Sequence, residues 1–163
     1  MKRVAFLTLT TFLTLLIGCS SDAGNPGNEE EEGIVIDRTG NLLATGASAN
    51  DILSNDTFDR LAIEIAFAEG FRPRQETMTD FVNFLRQRTF KEDIEIVYSE
   101  LPRTMEESLT LEEISQLEQD NRTVFNTAST LAIYIFFADA PAEGDDLEEG
   151  LVTLGAVYRN TSM

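Results

Sequence analysis

The sequence has no histidine and no tryptophan, and its single cysteine is Cys19. Without histidine, these 163 residues cannot form a His-based zinc site, a Ser-His-Asp triad or a Cys-His dyad. With one cysteine, the chain cannot form an internal disulfide, so the core must hold the fold without a covalent cross-link. These absences exclude several common hydrolase mechanisms.

Positive charge is also scarce. The chain has 12 Lys and Arg residues against 29 Asp and Glu residues, which gives a formal net charge of −17 at pH 7. So acidic a surface repels phosphate backbones, and we therefore expect no nucleic-acid partner. The same repulsion opposes electrostatic binding to an anionic bilayer, so an attachment to membranes needs another source.

Residues 1–18 have the pattern of an export signal. Lys2 and Arg3 precede the apolar run Val4–Ile17, which is shorter than the roughly 20 residues that a membrane-spanning helix needs. The run ends in Leu16-Ile17-Gly18-Cys19, which resembles the lipobox of bacterial lipoprotein signals. The resemblance implies that the Cys19 thiol is acylated, that cleavage precedes it, and that its lipid anchors the mature protein in a bilayer. An ordinary secretory signal with an incidental cysteine is the alternative.

Residues 19–33 form the second part of the chain. Ser20 directly after Cys19 resembles the sorting pattern for the outer rather than the inner membrane. From Ser20 to Gly33 there is no apolar side chain larger than alanine, and Glu29–Glu32 are four successive glutamates. This segment has nothing to bury, so it is predicted to be a flexible acidic tether. The third part, residues 34–163, is predicted to be one folded domain.

Hydrophobic periodicity predicts alternating strands and helices in this domain. Large apolar residues alternate with alanines and Glu64 over residues 61–68, which indicates a strand, and helical spacing follows from Thr77 or Thr79 to about Arg88. Ile94–Leu101 is predicted to be a second strand and Thr130–Phe137 a third. Between them, Thr110-Leu-Glu-Glu113 has the form of a capping box, and the helical spacing after it continues to Val124 or Phe125.

Three further segments are less regular. Ser48-Ala-Asn-Asp51 predicts a short helix or compact turn, and Leu151–Tyr158 is a candidate fourth strand. The acidic residues 140–150 lack EF-hand spacing and are predicted to be a solvated loop rather than a calcium site. Together the elements predict an α/β fold: a twisted, mixed and mostly parallel sheet of about four strands with two right-handed crossover helices.

The residues themselves show no active site. Glu64 is the only carboxylate within the strand at 61–68, and we expect it to be a half-exposed strand residue rather than a catalytic group. Glycine-rich nucleotide-binding and phosphate-binding motifs are absent from the sequence. Residue chemistry alone therefore predicts a lipid-anchored α/β domain without visible catalytic machinery.

Three blocks, Thr45–Leu53, Glu64–Pro73 and Gly155–Met163, resemble the N-terminal portion of secreted, membrane-attached zinc metalloproteases of the metzincin type. The resemblance implies a mostly parallel sheet with one antiparallel edge strand, followed by a helix carrying a His-Glu-x-x-His zinc motif. It also implies that this sequence stops before that helix, so that the domain 34–163 is incomplete at its C-terminus. No catalytic residue or zinc ligand therefore carries over, and zinc is expected only in a full-length relative.

The resemblance does imply a surface that pairs with substrate. Its edge strand, whose backbone would pair with an extended peptide, corresponds to residues Val152, Thr153, Leu154, Gly155, Ala156, Val157 and Tyr158. Gly155 would either permit close approach of that peptide or form a bulge.

Two main hypotheses about function follow. The first is a membrane-anchored lipoprotein that resembles the N-terminal half of a zinc metalloprotease and is not catalytic as it stands, which leaves its status as an enzyme open. The alternative is a stand-alone cell-envelope lipoprotein that captures a peptide or protein partner, with a periplasmic chaperone or protease inhibitor as a third hypothesis.

Overall fold

The computed structural model describes residues 38–163 of the chain. The predicted signal peptide 1–18, the lipidation site Cys19 and the predicted tether 19–33 lie outside the described residues, as does the apolar run Ile34–Ile36. Within residues 38–163, no helix has both the length and the apolar character needed to cross a bilayer.

The described residues alternate between strands and helices, which confirms the predicted α/β class. In chain order they form a 3-10 helix (Thr39–Leu42), α1 (Ala49–Leu53), β1 (Arg60–Ala68), α2 (Gln75–Arg88), β2 (Asp93–Leu101), α3 (Leu111–Asn121) and β3 (Thr130–Phe137). The three strands form one parallel sheet in the order β2-β1-β3.

The two crossovers place one helix on each face of the sheet. Because parallel crossovers are right-handed, a connection that leads from β1 to β2 and one that returns past β1 to β3 cover opposite faces. On the first face, the large residues of β1 pack against one side of α2. This cluster includes Leu61, Ile63, Ile65 and Phe67 of the strand and Met78, Phe81, Val82 and Leu85 of the helix.

The second face has small residues on β1 and polar groups around them. Ala62, Ala66 and Ala68 are buried there, and Ala66 packs in a cluster with the fully buried Tyr134 of β3. The C-terminal end of α3 contributes Glu118 and Arg122, both at most 5% exposed. The small side chains of β1 leave room for these larger groups.

The prediction of a fourth strand at Leu151–Tyr158 is wrong, and the sheet of the described residues has three strands, all parallel. Leu151 forms only an isolated antiparallel bridge with Asp146. The position beside β3 is taken by Thr161–Met163: the Tyr134 amide donates to the Thr161 carbonyl at 2.8 Å, and the Phe136 amide donates to the Met163 carbonyl at 2.8 Å. Within residues 38–163, residues 152–157 therefore pair with no strand.

The start of α3 agrees with the sequence prediction, whereas its end does not. The capping box of α3 is confirmed, because the Thr110 amide donates to Glu113 at 2.8 Å and the Glu113 amide donates to the Thr110 hydroxyl at 3.1 Å. However, α3 ends at Asn121 and does not continue to Val124 or Phe125.

The short helix predicted after Ser48 is present as α1, but the Ser48 hydroxyl does not cap it. It accepts a hydrogen bond from Asn160, whose side chain also donates to the Gly40 carbonyl at 3.1 Å. A second bond of this kind joins the Asn41 side chain to the Thr161 hydroxyl at 2.8 Å. The beginning and the end of the described chain are thus held together on the sheet.

Candidate functional site

A groove of about 860 Å³ lies where β3 ends. Its lining comes from the end of β3 (residues 135–138), the start of α3 (residues 109–111 and Ile114), the loop residues 140–143 and the segment 153–158. Ligands of open parallel α/β sheets bind outside the carboxyl ends of the strands, which is where this groove lies. The location and the largely apolar lining make it the candidate binding site of the domain.

The residues predicted to pair with a peptide, Val152–Tyr158, are called the edge segment, and six of them, Thr153–Tyr158, form one wall of the groove. Its apolar side chains are turned to solvent: Leu154 is 98% exposed, and Val152 and Val157 are each about half exposed. Within residues 38–163, the backbone N–H groups of Leu154, Gly155, Ala156 and Val157 donate to no protein acceptor. The edge segment therefore presents unpaired donors of the kind that strand addition uses.

The first end of the edge segment is fixed to the acidic loop before it. Asp145 accepts hydrogen bonds from the Thr153 amide at 2.9 Å and the Thr153 hydroxyl at 2.7 Å. The bond from the Thr153 hydroxyl is the main reason that the pKa of Asp145 is lowered. The backbones of Asp146 and Leu151 also exchange two hydrogen bonds of 2.8 Å.

The second end of the edge segment is fixed to the sheet. The Tyr158 amide donates to the Ser162 carbonyl at 3.3 Å, and Arg159 and Ser162 form an isolated antiparallel bridge. The Arg159 guanidinium also donates to the Ser115 hydroxyl of α3. The four unpaired amides are thus held between two anchored ends, and the lining of the groove does not depend on a free loop.

A buried polar cluster supports this second anchor. The guanidinium of Arg122 donates to Glu118 at 2.7 Å and to the Ala132 carbonyl at 3.1 Å, and the Ser162 hydroxyl donates to Glu118 at 2.6 Å. Glu118, Arg122 and Ser162 are each at most 5% exposed. A buried ion pair with such additional hydrogen bonds fixes the geometry of the groups around it.

Two tyrosines complete the polar cluster. Burial is the largest cause that raises the pKa of Tyr134, and the charges of Glu64 and Glu118 raise it further. Burial and then the charge of Glu118 raise the pKa of Tyr158 in the same way. Both phenols are therefore held neutral, and within residues 38–163 the Tyr134 hydroxyl has no hydrogen-bond partner.

The expectation that Glu64 is a half-exposed strand residue is wrong, because its side chain is fully buried. Its carboxylate accepts hydrogen bonds from the amides of Thr123 at 2.9 Å and Val124 at 2.8 Å, and from the Thr123 hydroxyl at 3.1 Å. These bonds turn the chain away from the helical path directly after α3. The hydrogen bonds to Glu64 thus hold the chain in a non-helical course after α3. Val124 and Phe125 therefore lie outside the helix, although their spacing in the sequence is helical.

The polar cluster is built for support rather than for reaction with a ligand. Ser162 and Glu118 are arranged like a hydroxyl and a general base, but Ser162 is 0% exposed. A substrate bound in the groove does not reach that hydroxyl. The accessible part of the site is the apolar groove and the edge segment, an arrangement suited to binding.

The residues present do not fit a zinc ion. The sequence has no histidine, and residues 38–163 contain no group of three His, Cys, Asp or Glu side chains placed to hold a metal. In the loop 140–150, the carboxylates of Asp145 and Asp146 accept bonds from nearby backbone amides, including those of Thr153 and Glu148.

Of the residues singled out in the sequence, Thr153–Tyr158 are brought together in the groove wall, and Cys19 lies outside the described residues. The polar cluster was missed. Its one local signal was the spacing of Glu118 and Arg122, which are four residues apart on a helix and can form an ion pair. No protein family, curated protein or solved structure matches this chain.

Proposed function

We propose that this chain is a membrane-anchored lipoprotein whose α/β domain corresponds to the sheet half of a metzincin-type zinc metalloprotease. In this proposal the domain binds an extended peptide in its groove and does not cleave it. The acylated Cys19 provides the attachment to the bilayer, and residues 19–33 connect the lipid to the domain.

The observation that carries the proposal is the order of chain segments beyond β3. Thr161–Met163 lies parallel to β3, and Arg159 and Ser162 form a single antiparallel bridge across the turn at residues 159–162. The resemblance implies an antiparallel edge strand beyond the parallel sheet, and within residues 38–163 this border has the single antiparallel bridge rather than a strand. The edge segment leads directly into Arg159, which puts it at the border where a peptide would be added.

Peptide binding is supported by the chemistry of this border. Four consecutive amides of the edge segment have no acceptor within residues 38–163, and an apolar groove lies beside them. An added strand supplies carbonyl oxygens to every second one of such amides, and its alternate side chains enter the groove. Since a strand rises about 3.3 Å per residue, the seven residues of the edge segment match a peptide stretch of roughly 23 Å.

Gly155 gives a direct test of peptide binding. Its φ is not in the left-handed region, and a Cβ added there would meet open space, so Gly155→Val leaves the fold intact but adds a branched side chain to the wall of the groove. The full chain, purified in detergent, is titrated into a fluorescein-labelled seven-residue peptide of alternating Ser and Val, and binding is measured by anisotropy. We expect wild type to bind and Gly155→Val to bind at least about tenfold more weakly. Equal binding by both proteins would exclude the edge segment as the site.

The absence of catalysis is tested on the same preparation. We expect less than stoichiometric zinc by atomic absorption and no cleavage of casein, because the described residues include no group of three side chains placed to hold a metal ion. One zinc ion per chain, or casein cleavage that a chelator abolishes, would contradict the proposal.

Lipid attachment has its own test. In cells that express the full chain, wild type should incorporate labelled palmitate and sediment with membranes, whereas Cys19→Ser should do neither. Membrane sedimentation of the Cys19→Ser protein would contradict the lipoprotein assignment. This test does not depend on the outcome of the peptide titrations.

The unpaired amides also favour the alternative, a stand-alone envelope lipoprotein that captures a partner. The two proposals differ in how the full chain behaves in detergent. A domain adapted to function alone should unfold in one cooperative transition, whereas the half of a larger fold should unfold gradually. Thermal unfolding followed by circular dichroism distinguishes them.

A further inference from the structure

The charges around the groove are mostly negative. Glu143 lines the groove, and Asp146, Glu148 and Glu149 are exposed in the same loop. On the other side, Glu112 and Glu113 are exposed in the first turn of α3. The two elements that line the groove with residues 109–111 and 140–143 thus also carry exposed carboxylates, which we call the acidic rim.

These carboxylates are not neutralised by neighbouring cations. Within residues 38–163 the ion pairs are Arg60–Asp93, Arg103–Asp139 and Arg122–Glu118, and none includes a residue of the acidic rim. Arg159, the basic residue next to the edge segment, donates to the Ser115 hydroxyl. The rim thus has an uncompensated negative potential, which adds to that of a chain with a formal charge of −17.

We propose that the ligand of the groove is a cationic extended peptide in which Lys or Arg residues alternate with apolar ones. This inference rests on the proposed function and specifies its ligand. Successive side chains of a strand point to opposite sides. One set can therefore enter the groove against Ile135, Phe137 and Ile114, while the other set meets the acidic rim.

Charge also disfavours a second copy of this chain as the occupant. The edge segment itself contains no basic residue, and the loop that precedes it is acidic. Pairing two edge segments would bring two acidic rims together, and such juxtaposition of like charges opposes association. A cationic peptide relieves this repulsion.

The test compares three fluorescein-labelled heptapeptides, in which Val alternates with Lys, Ser or Glu, on the full chain in detergent. At 20 mM NaCl we expect the Lys/Val peptide to bind at least about tenfold more tightly than the Ser/Val peptide, and the Glu/Val peptide to bind most weakly. At 500 mM NaCl the preference for Lys over Ser should shrink to about twofold, because salt screens exposed charges.

A triple variant locates the effect. Glu143→Gln, Glu148→Gln and Glu149→Gln remove rim charges whose side chains form no hydrogen bond within the described residues, and we expect about fivefold weaker binding of the Lys/Val peptide. The matched control, Asp80→Asn with Glu92→Gln and Glu95→Gln, makes the same charge change at exposed positions on or beside α2 and β2. Its affinity should stay within about twofold of wild type.

The outcomes separate this inference from the proposed function. Equal binding of the Lys/Val and Ser/Val peptides would overturn the inference about charge and leave peptide binding intact. If no peptide binds, the proposed function itself fails. Equal loss in the rim and control variants would show a non-specific effect of net charge and overturn the acidic rim as the determinant. Self-association at low salt that blocks peptide binding would also overturn it.

Discussion

Glu64 of β1 and Tyr134 of β3 lie directly opposite each other in the parallel register, and both side chains are fully buried. Glu64 receives three hydrogen bonds from Thr123 and Val124, whereas the Tyr134 hydroxyl finds no partner within residues 38–163. Two polar residues at equivalent positions of adjacent strands therefore contribute to stability in opposite ways.

Glu64→Ala should destabilise the domain by about 2 kcal/mol or more, because it removes the buried carboxylate that accepts the part-buried hydrogen bonds of the Thr123 and Val124 amides. Tyr134→Phe should be neutral or should stabilise by about 1 kcal/mol, since it removes a buried hydroxyl that is not hydrogen-bonded. Urea unfolding of the full chain measures both. Glu69→Ala, an exposed change next to the end of β1, is the control and should stay within about 0.5 kcal/mol. A large loss in Tyr134→Phe would show that the hydroxyl is bonded after all.

The two buried phenols predict sensitivity to alkali. The pKa values of Tyr134 and Tyr158 are raised in the fold, so folding favours their neutral forms. That contribution is fully present below the unfolded pKa of about 10 and is lost as pH rises above it, by about 1.4 kcal/mol per pH unit for each tyrosine. Urea midpoints between pH 9 and 12 should fall steeply in wild type and much less in the Tyr134→Phe, Tyr158→Phe double variant. If the urea midpoints of wild type and of the double variant fell equally steeply with pH, the prediction would be contradicted.

The hydrogen bonds of the Lys91 ammonium to backbone carbonyls should also contribute to the free energy of unfolding. Its buried ammonium donates to the backbone carbonyls of Asp51, Ser54 and Phe58, the Ser54 bond being 2.6 Å. It thereby satisfies carbonyls at the C-terminal end of α1 and in the loop after it. Lys91→Met leaves these acceptors unpaired and should cost about 3 kcal/mol in urea unfolding. Lys91→Arg, which keeps the charge, should lose less, and an equal loss in both would show that shape rather than hydrogen bonding matters.

Asp139 predicts a loss of stability in acid. Burial alone would raise its pKa, but hydrogen bonds from Thr104 and Arg103 outweigh burial and lower the pKa below its ordinary value. The stability from this lowered pKa is present above the unfolded pKa of about 4 and is lost as pH falls below it. Asp139→Asn should cost about 1–2 kcal/mol at pH 7 and should flatten the decline between pH 4 and pH 2. An unchanged decline would assign acid sensitivity to other carboxylates.

The sequence was informative wherever one segment determines its own structure. The alternation in residues 61–68 and the capping box at Thr110 are local patterns, and β1 and α3 begin within one residue of the positions they indicate. The all-apolar run at 130–137 is a strand for the same reason. Periodicity also predicted two crossover helices, which the sheet order confirms.

The sequence-based predictions failed where the structure depends on contacts between segments that are far apart in the chain. Residues 151–158 have strand-like composition, but the three-residue segment Thr161–Met163 occupies the edge of β3 instead. The burial of Glu64 depends on amides about 60 residues away, and no local pattern reports their approach. The polar cluster likewise joins α3 to Ser162 across 44 residues, so its members read as ordinary polar residues in the sequence.

The bonds of Asn160 to Ser48 and of Thr161 to Asn41 have a consequence for the kinetics of folding. Their sequence separations are 112 and 120 residues, and they close the polar side of the sheet. Loops of that length are entropically costly to close, so these contacts form late and slow the search for the native state. β1, α2 and β2 can collapse on local contacts first. The second face remains open to water until residues 160–162 arrive, which makes that face the part of the domain most in need of protection while the chain is being made.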